Sequence, residues 1–211
     1  MPPSNETGLR FGDLGPHCLH LSVDMQRLFA EPTEWETPWM RTILPAVVRI
    51  AAAHPDATIF TRFVPAKHPG DGEGTWRRYY RRWSSMTLDR LDPEMVELLP
   101  DLAAYIPPAE VVDKHVYSPW VETDLADRLV ARDIDTLVIT GGETDVCVLG
   151  TVLGAVDRGY RVVIAADAVC SSSDETYDAF MALFHKRFGQ QVETAWSDEI
   201  LERWTPPGEG R

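Results

Sequence analysis

The stretch "DTLVITGGETDVCVLGTVLGAVDRG", residues 135–159, predicts a buried strand followed by a helix. It starts with a short apolar segment rich in β-branched residues, which is typical of a strand covered on both faces. The apolar residues after it have the spacing of one helix face: Val146, Leu149, Leu153 and Val156. Cys147 lies one turn into this helix. It is either a small core residue, as most free cysteines are, or a nucleophile.

The same alternation of strand and helix extends in both directions along the chain. Strands are predicted for the segments "CLHLSVDMQ", "ATIFTRFV", "VVDKHVY", "DTLVIT", "RVVIAADAV" and "VETAW". Helical patterns of about 10 to 15 residues separate most of them, which indicates βαβ units and an α/β fold with a parallel sheet. A long irregular region, 65–110, interrupts the pattern and contains the aromatic and arginine-rich "TWRRYYRRW".

Length and composition limit the possible partners. The chain has 211 residues, and we expect one domain over 17–204, with a flexible arm at 1–16 and a tail at 205–211. The formal net charge of −13 argues against a nucleic-acid partner, because binding phosphates requires a basic surface. Three cysteines without metal-type spacing indicate a reducing compartment, and no signal peptide or membrane-spanning stretch is predicted. We therefore expect a cytoplasmic protein with no membrane partner.

Chemically useful side chains follow three of the predicted strands. Asp24 ends the first strand, Lys114 lies in "VVDKHVY", and Cys147 follows "DTLVIT" after a tight loop. Ligands of open parallel sheets bind at the carboxyl ends of the strands, so we expect the three side chains to lie close together. Each also has a structural alternative: a loop cap for Asp24, a solvent contact for Lys114 and an inert core position for Cys147. The three structural alternatives are weaker when taken together, because the rule on strand ends brings all three side chains to the same edge of the sheet.

The chemistry of the three residue types fits a nucleophilic site. A buried aspartate and a buried lysine each cost on the order of several kcal/mol unless they are paired, so we expect Asp24 and Lys114 to form an ion pair. A helix N-terminus and a nearby ammonium favour the thiolate form of Cys147. Asp24 would take the thiol proton and later return it to a leaving group.

The motifs "VDMQ", "DKHVYS" and "TGGETDVCV" together resemble the isochorismatase-like cysteine hydrolases, over about residues 17–200. The resemblance implies a three-layer, Rossmann-like fold, with a six-stranded and mostly parallel sheet between helices. It also implies a catalytic triad of Asp24, Lys114 and Cys147, and a cis peptide bond at Gly142–Glu143. The backbone N–H groups of Glu143 and Cys147 would then form an oxyanion hole.

Departures from the family pattern narrow the range of activities that the resemblance implies. Nicotinamidases of this family have an Asp-x-His metal motif after the second strand, where this chain has Phe63 and Pro65. We therefore expect no metal site and no cofactor. Isochorismatases cleave a vinyl ether without a thiol, so Cys147 favours acyl chemistry. The family's "DMQNDF" is here "DMQRLF", and the shared Phe29 is a predicted pocket wall.

Further substrate contacts are predicted in and near the irregular region. In "TWRRYYRRW", Trp76, Tyr80 and Trp83 share a helix face, so segment 71–83 is interpreted either as a packed edge or subunit contact, or as a lid over the pocket. Trp120, which follows the Lys114 strand, is a candidate for shaping the pocket. Arg62 and the arginines of 77–82 suggest an anionic substrate, with Arg62 as the first choice for binding it.

The sequence thus predicts a metal-independent cysteine hydrolase that cleaves a C–N bond of a small amide, ureide or carbamoyl compound through a thioester-type intermediate. One alternative is vinyl ether hydrolysis with Asp24 as the acid. Another is a catalytically silent partner that kept the fold. We expect a small-molecule substrate and a homodimer or homotetramer.

Overall fold

A single parallel sheet organises the chain. The structure is a computed structural model that describes residues 7–205. The strands are β1 (Cys18–Val23), β2 (Thr58–Phe63), β3 (Glu110–Lys114), β4 (Thr136–Gly142), β5 (Arg161–Cys170) and β6 (Val192–Ala195). All neighbouring pairs are parallel, in the order β3-β2-β1-β4-β5-β6. The predicted six-stranded α/β fold is confirmed.

Helices cover the sheet and connect its strands. They are α1 (Arg27–Ala30), α2 (Met40–Ala53), α3 (Trp76–Arg82), α4 (Pro100–Ala103), α5 (Leu125–Ala131), α6 (Leu149–Asp157), α7 (Asp174–Arg187) and α8 (Ser197–Glu202). Short 3₁₀ turns span Pro55–Ala57, Ser84–Met86 and Pro93–Val96, and a π-helical turn spans Thr144–Val148. Within the described residues, no helix is both long and apolar enough to cross a bilayer.

The core has two parts, one on each face of the sheet. On one face, α2, α4 and α8 pack residues such as Val47, Leu102 and Ile200 onto the strands. On the other face, the core includes Leu129 of α5, Val152 of α6 and residues of α7. Every residue of β1 and β4 is buried, as expected for central strands covered on both sides. This makes the three-layer arrangement that the sequence predicts.

The chain reverses its direction of travel across the sheet between β1 and β4. From β1 it moves outward through β2 to β3, and it then returns to β4 on the other side of β1. The carboxyl ends of β1 and β4 therefore border the crevice where ligands bind in folds of this kind. Val23 is in register with both Thr61 of β2 and Gly141 of β4, so the ends of three strands lie side by side.

The approach of β4 to β1 is unusually close at Gly141. A Cβ atom placed on Gly141 would lie 2.0 Å from the carbonyl oxygen of Val23, and the residue has a φ of 104°. Only glycine fits here, because it lacks the side chain that would collide and tolerates a positive φ. Backbone therefore packs directly on backbone where the two central strands end.

Part of the segment 1–16, which the sequence predicts to be a flexible arm, packs against the domain. The backbone N–H of Gly8 donates to the carbonyl oxygen of Thr194 at 2.6 Å, and Leu14 is buried and pairs with Trp204. Apolar side chains such as Leu14 supply the contacts that hold this segment. Residues 1–6, and 206–211 of the predicted tail, lie outside the described residues.

Candidate active site

Asp24, Lys114 and Cys147 meet at the carboxyl edge of the sheet. The Lys114 Nζ lies 2.7 Å from Asp24 Oδ2 and 3.4 Å from the Cys147 Sγ. The side chains of Asp24 and Lys114 are fully buried, and Cys147 is 6% exposed. The ammonium group of Lys114 therefore contacts both the carboxylate and the thiol.

Each of the three is positioned by its own element. Lys114 ends β3, and strand alternation points its side chain to the face opposite that of Asp113. Asp24 follows β1 with a φ of 51°, a left-handed conformation that aspartate tolerates better than most residues. Cys147 lies in the π-helical turn directly after β4, a type of distortion that occurs often at functional sites.

Neighbouring polar groups fix the Asp24 carboxylate and the strand beside it. The Thr61 hydroxyl donates to Asp24 Oδ1 at 2.6 Å. Gln26, which is fully buried, clamps β2: its amide nitrogen donates to the Phe63 carbonyl oxygen at 3.0 Å, and its amide oxygen accepts from the Phe63 N–H at 2.7 Å. Gln26 thereby holds Phe63, whose ring centroid lies 5.1 Å from the Lys114 Nζ.

The environment of Cys147 disfavours the thiolate form more strongly than the helix N-terminus and Lys114 alone suggest. Burial raises its pKa far above the ordinary value, and the charge of Asp24 and its hydrogen bond with the thiol raise it further; Lys114 opposes them. Burial alone would lower the pKa of Lys114, but Asp24 and Cys147 raise it above its ordinary value. Lys114 and Asp24 therefore form an ion pair beside a thiol whose pKa is raised. A base must remove the thiol proton when the sulfur attacks.

The loop between β4 and Cys147 carries a second acidic group. The peptide bond Gly142–Glu143 is cis, and the Glu143 carbonyl oxygen accepts from the N–H groups of Val146 and Val148. The Glu143 side chain accepts a hydrogen bond from the Thr37 hydroxyl at 3.2 Å. Burial, and then the charge of Asp145, raise the pKa of Glu143 above its ordinary value. Its carboxylate lines the cavity over the thiol.

A cavity of about 300 Å³ opens above Cys147. Its lining residues are Phe29, Glu34, Trp35, Glu36, Phe63, Tyr79, Trp83, Tyr117, Glu143, Val146, Cys147 and Ser172. Its volume suits a small molecule, and Cys147 is part of its lining. Phe29, the predicted pocket wall, is among the lining residues, and its ring stacks on Trp35 with 6.3 Å between centroids.

Arg62 lies elsewhere, so the structure does not support its predicted contact with substrate. Its guanidinium donates to both carboxylate oxygens of Asp113, at 2.7 and 2.9 Å, and to Glu97 at 2.6 Å. Strand alternation accounts for this position, because Thr61 and Phe63 face the site and the residue between them faces away. None of the arginines of 77–82 lines the cavity, although Arg78 and Arg82 line a neighbouring hollow.

Trp76, Tyr80 and Trp120 also lie outside the cavity wall, which corrects their predicted role. Trp76 stacks on Tyr80 with 5.9 Å between centroids and packs behind Phe63. Trp120 donates its indole N–H to the Thr151 carbonyl oxygen at 2.8 Å and lies against α6. A Cβ atom on Gly154 of that helix would be 2.1 Å from the Trp120 ring, so the indole fills the space that this glycine leaves.

Sequence reasoning missed several residues of the site. The aromatics of segment 71–83 that line the cavity are Tyr79 and Trp83, one helical turn apart; the predicted face contained Trp83 together with Trp76 and Tyr80, and it left out Tyr79. Trp35 lies between β1 and α2 in "EPTEWETP", where its acidic and aromatic neighbours were the available signal. Gln26 is part of the motif "VDMQ", but its role as a clamp depends on a contact with β2.

Within residues 7–205, no group of three or more His, Cys, Asp or Glu side chains is arranged to hold a metal ion. Phe63, at one of the positions where metal-binding relatives have a ligand, instead places an aromatic ring in the cavity wall.

Comparisons with known proteins identify chains that are similar over much of this fold. The chain is similar to a cysteine hydrolase of Pseudomonas syringae pv. phaseolicola, with 26% identity, a TM-score of 0.79 and coverage of 95% of this chain and 97% of that one. It is 27% identical to an N-carbamoylsarcosine amidase of Arthrobacter over 73% of this chain and 59% of the relative. It is 32% identical to a ureidoacrylate amidohydrolase of Methylobacterium radiotolerans over 56% and 42% of the two chains.

The matches to curated relatives span between 36% and 59% of those proteins' own lengths. The model of the isochorismatase domain, in contrast, matches residues 18–195, which is most of the chain. The match begins with β1 and ends with β6, so it includes the whole sheet and all three residues at its carboxyl edge. The chain therefore belongs to the isochorismatase family.

Proposed function

We propose that the protein is a cysteine-dependent amidohydrolase that cleaves a C–N bond of a small amide, ureide or carbamoyl compound. The observation that carries the proposal is the buried contact of Lys114 with both Asp24 and Cys147 at the floor of the cavity. The names of two similar proteins, an N-carbamoylsarcosine amidase and a ureidoacrylate amidohydrolase, support this type of bond.

The first half of the proposed reaction forms a covalent intermediate. Asp24 accepts the thiol proton as the Cys147 sulfur attacks the substrate carbonyl carbon. The negative charge then moves to the carbonyl oxygen, where the N–H groups of Glu143 and Cys147 stabilise it. Protonated Asp24 donates its proton to the leaving nitrogen, the C–N bond breaks, and an amine or ammonia leaves behind a thioester on Cys147.

The second half regenerates the enzyme. A water molecule gives a proton to Asp24 and attacks the thioester carbonyl, and the returning proton restores the neutral thiol as the acid leaves. Lys114 keeps its proton throughout, because its raised pKa holds the ammonium form. Its role is to orient the carboxylate and the sulfur, and to balance the negative charge that both carry in turn.

The test is a mass-spectrometric screen of small amides, ureides and carbamoyl compounds with the wild-type protein, followed by Cys147→Ala. We expect the variant to lose turnover and keep its fold, and Cys147→Ser to lose nearly as much, because a hydroxyl is harder to deprotonate. The matched control is Cys18→Ala, which removes a buried thiol at the opposite end of β1.

Two outcomes would contradict the proposal. Amide turnover that survives Cys147→Ala would remove the nucleophile from the mechanism. Cleavage of a vinyl ether by both the wild type and Cys147→Ala, with no amide hydrolysed, would favour the alternative with Asp24 as the acid. The homodimer or homotetramer and the cytoplasmic location stay predictions.

A further inference from the structure

Half of the residues that line the cavity above Cys147 are aromatic. The aromatic lining residues are Phe29, Trp35, Phe63, Tyr79, Trp83 and Tyr117. Trp35 is central among them: its ring centroid lies 5.9 Å from that of Phe63, 5.8 Å from Tyr79 and 6.4 Å from Trp83. Aromatic faces carry a partial negative charge, so rings that enclose a small space attract a cation.

All the ionisable carboxylic acids of this lining lack a basic partner. Glu34, Glu36 and Glu143 line the cavity together with the thiol, and no Lys, Arg or His does. Glu143 accepts from Thr37, and Glu34 accepts from the Ser85 hydroxyl. None of the three carboxylates forms an ion pair within residues 7–205. Glu31 and Glu97 nearby are, in contrast, each paired with an arginine.

The cations closest to the cavity are already engaged or lie outside it. Lys114 is bound to Asp24 below the floor. Arg82 lies over the Trp83 ring, 4.4 Å from its centroid, and lines the neighbouring hollow with Arg78. The chain thus already places a guanidinium against one aromatic residue of the cavity. The lining itself carries negative charge that no cation of the described chain neutralises.

We propose that this cavity binds the cationic end, an ammonium or quaternary ammonium group, of the substrate whose amide carbon reacts with Cys147. This substrate class rests on the proposed amidohydrolase function and replaces the anionic substrate expected from the sequence. The aromatic faces contact the methyl or methylene groups around the charge, and the carboxylates of Glu34, Glu36 and Glu143 supply the opposite charge. The substrate amide lies at the floor, next to the thiol.

Binding can be tested without any turnover. Choline and 3,3-dimethylbutan-1-ol have the same shape and differ only in the positive charge. Calorimetry and tryptophan fluorescence measure the affinity of both compounds. We expect choline to bind the wild-type protein at least about tenfold more tightly than 3,3-dimethylbutan-1-ol, and we expect added salt to weaken the binding of choline. Equal affinity for the two compounds would overturn the inference.

One carboxylate variant and a matched control locate the effect. Glu36→Gln should weaken choline binding by about threefold or more, because it removes an unpaired negative charge from the lining. Glu202→Gln removes the same charge from an exposed position on α8, outside the cavity lining, and should leave choline affinity unchanged. Equal weakening in both variants would show that only net charge matters, which contradicts a built site.

Turnover gives the second readout. The matched amides are 4-(trimethylammonio)butanamide, the neutral 5,5-dimethylhexanamide and the anionic glutaric acid monoamide. We expect kcat/KM to fall in that order, by about tenfold at the first step. Faster hydrolysis of the anionic amide would overturn the inference and leave the amidohydrolase intact. Specific choline binding without hydrolysis of any amide would instead contradict only the proposed function.

Discussion

Two neighbouring residues of β3, Asp113 and Lys114, form ion pairs on opposite faces of the sheet. Arg62 and Asp113 are direct neighbours in register, and their side chains are 22% and 45% exposed. One residue further along β3, Lys114 points to the other face and forms its pair with Asp24, where both side chains are fully buried. The Arg62–Asp113 pair is thus in contact with water, whereas the Lys114–Asp24 pair is shielded from it.

The two pairs differ in how strongly each charge depends on its partner. Water screens the exposed pair, and each partner can be solvated if the other is lost, so such pairs contribute roughly 0–1 kcal/mol. The buried pair has no such substitute, because an unpaired charge inside the protein costs far more than an exposed one. Only the buried pair adjoins the thiol. Burial therefore makes this pair costly to break, and it holds the pair beside the thiol, where the proposed proton transfer takes place.

The largest expected effect is on stability. Asp24→Asn leaves the Lys114 ammonium buried without its carboxylate and should lower the free energy of unfolding by roughly 3–5 kcal/mol. Asp113→Asn, the matched change on the exposed face, should cost less than about 1 kcal/mol. Urea unfolding at pH 7 measures both. Because the pKa of Lys114 is raised in the folded state, its contribution is present in full below its ordinary pKa and is lost only as the pH rises through the raised value.

A double variant separates the charge from the loss of packing. Asp24→Asn combined with Lys114→Met removes both charges, and it should be more stable than Asp24→Asn alone. A double variant that is less stable than Asp24→Asn would show that the buried ammonium is not the source of the cost.

The next effect concerns the reactivity of the thiol. Because the pKa of Cys147 is raised, iodoacetamide should label it slowly at pH 7, and the rate should rise through pH 9 without reaching a plateau. Asp24→Asn removes a negative charge and leaves Lys114 in place, so it should label about tenfold faster at the same pH although it loses turnover. Mass spectrometry of the alkylated peptide gives the rate. A plateau below pH 8 in the wild type would mean that a thiolate is already formed at rest.

The smallest effect is expected from the exposed pair. Arg62→Ala should change KM by less than about twofold for any substrate that is found, because the guanidinium is engaged by Asp113 and Glu97 outside the cavity. Steady-state kinetics on an anionic and a cationic amide measure this change. A loss of affinity confined to the anionic amide would restore Arg62 to the binding site.

The sequence predicts the sheet and the meeting of three strand ends, but not the walls around them. Asp24, Lys114 and Cys147 follow from the alternation of strands and helices together with one rule on strand ends. The aromatic segment does not, because α3 is short and packs on more than one side. Its cavity-facing pair, Tyr79 and Trp83, depends on contacts with the distant Trp35.

Two other errors have specific physical causes. Arg62 is predicted to bind substrate because it lies near the carboxyl end of β2. Strand alternation from the buried Thr61 instead points its side chain away from the site. The sequence predicts that Lys114 favours the thiolate form of Cys147, but burial raises the pKa of the thiol by more than Lys114 lowers it. Burial is a property of the folded chain that local sequence does not reveal.

The contact of Gly141 with Val23 bears on two properties of enzymes that are often linked, the reactivity of the site and its selectivity for a substrate. Because bare backbone sets the spacing of the loops that carry Asp24 and Cys147, that spacing does not depend on which side chains fill the core or line the cavity. A substitution in the walls above the sulfur would therefore change which molecules enter without moving the loops that carry Asp24 and Cys147. In the proposed mechanism, substrate selectivity and the reactivity of the thiol therefore depend on different parts of the chain.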